Sequence, residues 1–458
     1  GHRLLLTVRR NGLLQSTDEG DHWSYANGDL TDPGNSNNGV GIYDGASANV
    51  VGGAGPGQRN VISNNGSNGV LIAGVATSEN EILGNYVGVD VTGSTGLGND
   101  WAGITLANGA TANEMSHNLA SGNTWSGFEL WGPGTDGNTV SFNYVGTDAS
   151  GTSAVPNHYG IHPCGGASYN LVKDNLISGN AGDGIFGGSP GSVGNKYVGN
   201  TIGLAADGIS PLGNLYDGVY LMDSEATNPS EGTVVGGEHP GDGNTIAYNG
   251  SGIWVSGDDY CRVEGNALYD NHGDGLVLYE SSHTTVVGNR ISNSLFDGIW
   301  LEEGASQTIV AANEIEGNGW SGIEAQWGAE AAEIVGNEIH NNGRAGCLVD
   351  GNATIHHTIS NNNIYNNADL GIDLTHGGNT ELPAPVIQDF DVDGGTASGI
   401  ACANCTVEVF SDEHGEGRWF EGSVQADAEG TWSLHKGRSF HGREVTAKAT
   451  DAAGNTSE

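Results

Sequence analysis

Basic residues are scarce: 14 Lys and Arg stand against 55 Asp and Glu in 458 residues, a formal charge of −41. A surface that acidic repels phosphates and anionic lipid headgroups, so neither nucleic acid nor a membrane surface is expected as a partner. The same acidity suits a salty medium or decoration with calcium. Long apolar runs are missing too. None approaches the ~18 residues of a membrane helix, so no membrane insertion is expected. Pro is sparse (11), and the abundant Gly (79) follows no Gly-X-Y period, which removes collagen and Pro-rich disordered tracts. Five cysteines, an odd number, do not suggest a disulfide framework. Cys402 and Cys405 form a lone C-x-x-C with no second pair at zinc spacing, which leaves a local disulfide or two free thiols. No signal peptide precedes Gly1, so the chain reads as processed, trimmed or excised from something longer.

What is present is a repeat. A unit written G-N-x-[I/V/L] recurs at Asn244, Asn266, Asn289, Asn313, Asn337 and Asn362, in steps of 22 to 25 residues. Its aliphatic partners keep pace as Ile246, Leu268, Ile291, Ile315, Ile339 and Ile364. A second unit, Gly followed by an aliphatic, runs in register at Gly252-Ile253, Gly275-Leu276, Gly298-Ile299, Gly322-Ile323 and Gly371-Ile372. Such a period means one solenoid coil per repeat, stacked on neighbours ~4.8 Å away. Gly supplies positive φ at corners, and Asn amides can bond to the Asn above and below. The fixed leucines of leucine-rich repeats and the calcium-binding nonapeptide are both absent. Upstream the units lengthen: Asn85-Tyr86-Val87-Gly88-Val89-Asp90 returns at Asn143 and again at Asn200, each step two coils plus an inserted loop such as Asp90 to Gly98.

These residues resemble the right-handed β-helix repeats of the pectate-lyase-like superfamily, which holds sugar hydrolases, lyases, epimerases and non-catalytic surface proteins. The resemblance covers about residues 31 to 382 and implies an all-β, right-handed parallel β-helix of about thirteen coils. Residues 383 to 458 change character, with alternating strands around Thr406–Phe410, Gly430–Leu434 and Val445–Ala449. They resemble a bacterial immunoglobulin-like module, which implies a C-terminal β-sandwich. Residues 1 to 30 contain Ser16-Thr17-Asp18-Glu19-Gly20-Asp21-His22-Trp23, similar to the Asp-box hairpin of sialidase-like propellers. This hairpin, with the apolar strand Leu4 to Val8, is expected to cap the first coil or to pair with another chain, since an open solenoid end is an exposed sheet edge.

Alternation within Gly-Ile-x-Leu strands points the residue between the two aliphatics at solvent. Read coil by coil, that column contains Thr105, Glu129, His162, Phe186, Tyr220, Trp254, Val277, Trp300, Glu324, Leu348 and Asp373. Its middle (His162, Phe186, Tyr220, Trp254, Trp300) is an aromatic stripe, suited to sugar rings or a partner, or to mutual shielding. The next outward column includes Trp131, Cys164, Met222, Tyr279, Glu302 and Asp350. Glu302, Glu324, Asp350 and Asp373 thereby form a carboxylate patch with no Lys or Arg in its column. They are candidates for a glycosidase pair (Glu302 and Glu324), for a calcium site, or for solvated surface.

Local motifs are poor matches. Gly257-Asp258-Asp259-Tyr260-Cys261 resembles the G-D-D-C of polygalacturonases with one residue inserted, and register puts its aspartates on an ordinary turn. Tyr159-Gly160-Ile161-His162-Pro163 resembles the Y-G-F-D-P of alginate epimerases, with His162 in place of the aspartate. Cys347 falls in an inward aliphatic slot. Between residues 31 and 382 the basic residues are Arg59, Lys173, Lys196, Arg262, Arg290 and Arg344, spread over separate coils, so a polyuronate groove is not expected. The leading expectation is a non-catalytic extracellular or cell-surface rod, an adhesin or a filament former that contacts itself head-to-tail. The rival is a carbohydrate-active enzyme acting on a neutral extracellular polysaccharide.

Overall fold

The computed structural model describes residues 37–458 except Pro56, Ser189, Glu225 and His414, together with the short strands Leu14–Gln15 and Ser24–Tyr25, which pair antiparallel. The Asp-box segment between those strands and the expected strand from Leu4 to Val8 lie outside the described residues. The chain divides into two compact units, residues 1–250 and 251–458.

In the first unit each coil contributes three short strands, as in Val70–Ala73, Glu81–Leu83 and Tyr86–Val87. Each pairs in parallel with its counterpart one coil on: Val70 with Ile104, Ile82 with Met115, Val87 with Ala120. The second unit repeats the plan with Ile253–Ser256, Arg262–Glu264 and Ala267–Tyr269. The result is a right-handed parallel β-helix with three sheets. Seven strands beginning with Val40–Tyr43 in the first unit and six ending with Ile372–Thr375 in the second give thirteen coils. The inward aliphatics form continuous buried stacks, such as Ile299, Ile323 and Cys347 in direct register. Cys347 is core, as its slot implied.

The corner between the second and third strands explains the G-N-x-I signature. Asn289 N–H donates to Asn313 Oδ1 (2.9 Å), Asn313 N–H to Asn337 Oδ1 (2.9 Å), and Asn337 N–H to Asn362 Oδ1 (2.8 Å). Each amide Nδ2 also donates backwards to a carbonyl of the preceding coil, as Asn313 does to Val286 O (2.9 Å). The rungs run Asn266 to Asn362 in the second unit. In the first, Asn200 N–H donates to Asn244 Oδ1 (2.8 Å) at the end of a series that begins at Asn60. Immediately before most rungs the backbone is left-handed: Gly84, Gly199, Gly265, Gly288 and Gly336 have φ of 64–69°, and His117, Phe142 and Ala312 adopt 54–58°. Gly is therefore the unstrained choice there, and the ladder holds other residues in a conformation costing ~1–2 kcal/mol.

The first unit has two further ladders, one through Asn80, Asn113, Asn138 and Asn170, the other through Asn99, Asn123, Asn157 and Asn180. The second unit keeps the latter type in Asn318, Asn342 and Asn367. In the former type's column His357 serves as a rung. Its Nδ1 accepts from Ala332 N–H (3.3 Å), its Nε2 donates to Ala329 O (2.9 Å), and burial pushes its pKa down to about 4, which keeps the imidazole neutral.

The upstream insertions are small hairpins tied by an aspartate. Asp90 Oδ1 accepts from Ser94 and Thr95 N–H, and Asp148 Oδ1 from Thr152 N–H.

After the one-turn helix Gly378–Glu381, residues from Val386 onward form two three-stranded antiparallel sheets around Val407, Val409, Trp432 and Phe440. The Cys402–Cys405 pair is a disulfide. This β-sandwich covers the last coil. Glu416 Oε2 accepts from Asn367 N–H (3.2 Å), Thr456 Oγ1 from Ile359 N–H (3.0 Å), and Asn455 Oδ1 from His356 N–H (2.8 Å). The buried Lys448 ammonium donates to Ile359 O and pairs with Glu408. The C-terminal sheet edge is thus closed by the chain itself.

Two adjacent substitutions test the corner. Asn313→Ala strips the acceptor from Asn289 and is expected to cost about 1–3 kcal/mol in chemical denaturation. Ala312→Gly relieves the left-handed residue and is expected to gain about 0.5–1 kcal/mol.

Candidate functional site

The outward columns stand in the register expected: in the first unit Glu129 opposes His162, Trp131 opposes Cys164 and Phe186 opposes Tyr220, and within the second unit Trp254, Val277, Trp300, Glu324, Leu348 and Asp373 stand in line. Their solvation differs from the expectation. Thr105, Glu129, His162, Val277, Glu302 and Glu324 are buried, and Phe186, Tyr220, Trp254 and Trp300 are half-buried. Alternation fixes only direction. Parallel stacking flanks each outward side chain above and below, and a further outward column, two residues before each Gly, closes over it from the side.

That further column is aromatic, a feature the Gly-aliphatic register alone does not bring out. In the first unit it presents Trp101, Trp125 and His158, with Trp101 stacked on Trp125 at 5.4 Å and His158 tilted against Trp125 at 5.4 Å. Tyr159 meets Trp125 edge-on (5.1 Å), and the face continues through His162 on Phe186 (4.9 Å) and Phe186 on Tyr220 (5.4 Å). Trp101 remains 45% exposed, so the face is open to a ligand. At its middle lies Glu129, whose Oε2 accepts from Trp101 Nε1 (2.8 Å). Burial raises the Glu129 carboxyl and pushes His162 down to about 4, leaving a neutral imidazole. Burial, helped by the Glu129 charge, pushes the Cys164 thiol up to about 12. Asp183 is raised to about 7 by burial, although its Oδ1 accepts from Asp217 N–H (2.9 Å).

In the second unit the carboxylates gather around Asp297. Its Oδ1 accepts from Ser321 N–H (2.7 Å), and Asp274 Oδ1 accepts from Asp297 N–H (2.8 Å), so both aspartates act as rungs. Burial, then the charges of Glu324 and Asp274, raise the Asp297 carboxyl, which hydrogen-bonds with Glu324. Glu324 is itself raised chiefly by burial, with Arg344 opposing. That cation arrives from the column two residues before Gly, stacked on Trp320 at 4.3 Å, so the patch's own column is without Lys or Arg while a neighbouring one supplies Arg344. Glu302 is raised by burial and by Glu303. Glu302 Oε2, Glu324 Oε2 and Trp300 Nε1 are buried without a hydrogen-bond partner.

Asp350 stands apart, accepting from Thr375 Oγ1 (2.7 Å) and His376 Nδ1 (2.6 Å), and Asp373 faces Glu458 and Asp369. Among the described residues, the donor groups close enough to share one ion are Glu129, His162 and Cys164, and Glu314, Glu316 and His340. In the latter, Arg290 already pairs with both glutamates. Asp259 is a turn residue that accepts from Ser282 N–H and Oγ, as register implied.

A family described as "Right handed beta helix region" matches residues 234–384. No curated protein sequence matches. Among solved structures the chain is similar to the A-module of mannuronan C-5 epimerase AlgE4 of Azotobacter vinelandii: 17% identity, 67% of this chain and 82% of that one, TM-score 0.48. It is also similar to the periplasmic alginate epimerase AlgG (15% identity, 67% and 76% covered, TM-score 0.36) and to the Dettilon tailspike protein (17%, 77% and 70%, TM-score 0.40). Among the described residues no helix is long and apolar enough to cross a membrane.

The Asp297 environment predicts a pH signature. A carboxyl whose folded pKa is raised holds its proton after the unfolded one, near 3.9, has lost it. The stability it contributes is therefore complete at low pH and declines as pH rises above that value. Asp297→Asn keeps the acceptor for Ser321 and removes the charge. The variant should match the native chain near pH 4 and exceed it by more than about 1 kcal/mol at pH 9, one pKa unit being worth about 1.4 kcal/mol. Paired thermal melts at the two pH values measure this.

Proposed function

We propose that this is an extracellular, non-catalytic protein that holds an uncharged polysaccharide on the outward aromatic face of its first unit. The carrying observation is the row from Trp101 and Trp125 through Tyr159 and His162 to Phe186 and Tyr220, half-open and built on rigid strands. Flat apolar faces edged with polar groups suit pyranose rings. Successive rings advance by one coil, ~4.8 Å, which matches a linear polymer better than a compact ligand. The net charge of −41 disfavours polyanions and leaves neutral glycans as the favoured class.

A second reading has its own observation. The unpaired Oε2 atoms of Glu302 and Glu324, beside Trp300 Nε1, are groups a bound sugar could satisfy, and both carboxyls are raised in the way a glycoside hydrolase's acid requires.

Affinity electrophoresis against neutral and uronic-acid polysaccharides tests both. Retardation is expected in a neutral polymer and not in pectate or alginate. Trp125→Ala and Tyr220→Ala should each weaken it about two- to tenfold, at 0.5–1.5 kcal/mol per aromatic contact. Reducing-end release from the retained polymer, lost in Glu324→Gln with binding kept, would replace the binding role with the hydrolytic one.

A further inference from the structure

Glu129 and His162 are direct partners on the adjacent parallel strands Ser126–Trp131 and Tyr159–Cys164, and Cys164 follows His162 by two residues on the same face. One donor atom from each lies within 4.8 Å of the others, and His162 Nδ1 stands 3.8 Å from Cys164 Sγ. Ligands on a tetrahedral zinc ion, with bonds of 2.0–2.3 Å, sit roughly 3.6 Å apart. We propose that Glu129, His162 and Cys164 form a binding site for a zinc-type divalent ion.

The chemistry of the set selects the ion. One sulfur, one imidazole nitrogen and one carboxylate suit a borderline-soft, four-coordinate cation, whereas calcium takes six to eight oxygens. Binding converts the Cys164 thiol to thiolate and releases its proton to solvent. The ion's two positive charges then balance the thiolate and the Glu129 carboxylate, so a neutral unit is buried. Coordination through Nδ1 puts the His162 proton on Nε2. Three protein ligands leave a fourth position open, the arrangement of zinc sites that keep a water. The second-layer support is already built: Trp101 Nε1 holds Glu129 Oε2, and the rings of Trp125, Tyr159 and Phe186 pack around His162. Strand register fixes all three ligands before any ion arrives. This site does not depend on the polysaccharide reading.

Cobalt(II) added anaerobically to the full chain without thiol reductant, which leaves the Cys402–Cys405 disulfide intact, tests the proposal optically. One equivalent should give tetrahedral d–d bands and a thiolate-to-metal charge-transfer band, and zinc should displace it. Among the described residues the band is assigned to Cys164, because neither Cys261 nor Cys347 has further donor groups gathered around it, Cys402 and Cys405 are disulfide-bonded, and the Glu314, Glu316 and His340 group has no sulfur. Cys164→Ser should abolish the band, and His162→Ala and Glu129→Gln should weaken cobalt binding by more than about tenfold, with far-UV circular dichroism unchanged. Absence of the band in the native chain, or its survival in Cys164→Ser, overturns the proposal. X-ray absorption on the zinc-loaded native chain needs no variant: a shell with one sulfur near 2.3 Å is expected, and an all-oxygen shell overturns the assignment.

Discussion

The side-chain amide of one coil stands in for a backbone partner of the coil before it, and most of the architecture follows from that contact. An Asn rung accepts from the preceding coil's N–H and returns Nδ2 to a carbonyl of that coil, so a corner that cannot continue a β ladder is still satisfied. A left-handed residue precedes most rungs, which is why Gly recurs there and why Phe142 and Ala312 hold the same φ. With corners fixed, strand register is fixed, and register is what brings Glu129 opposite His162 and Phe186 opposite Tyr220.

Stacking identical positions forces like upon like, and the outcome depends on what is stacked. Aromatic rings gain by it, and so do amides, which are donor and acceptor at once. Carboxylates do not. Asp274 and Asp297 also bridge coils, in the opposite sense to Asn because each accepts from the coil after it, and the energy of burying the Asp297 carboxyl appears as a raised pKa. Arg344 relieves part of this from a neighbouring column.

Much of this was legible in sequence. The Asn244-to-Asn362 spacing and the Gly-aliphatic column carry the fold, the coil number and the outward register, because insertions are few there and the period survives. The ladder through Asn80, Asn113 and Asn138 was hidden by uneven steps, since hairpins such as that at Asp90 interrupt the period. The solvation of Glu129, His162 and Glu324 was not legible. Alternation gives the direction of a side chain but not what covers it, and the covering residues, Trp101, Trp125 and Trp320, precede the Gly that anchored the reading. Cys164 and Glu129 sit in separate columns, so their convergence with His162 required coordinates.

The ladders also have a direction. Each Asn rung's oxygen faces the coil before it, so the Asn N–H groups of the last coil have no successor of the same kind to receive them. The sandwich supplies Glu416 to the Asn367 rung, while Thr456 and Asn455 accept from the nearby Ile359 and His356 N–H groups, and none of the three belongs to a repeat. Lineages of this chain can therefore lengthen or shorten by duplicating or deleting interior coils, whose two faces are complementary to one another. Loss of the tail is a different kind of event. It exposes a surface that no further copy of the repeat can finish, because every added coil recreates the same unmet demand one step on.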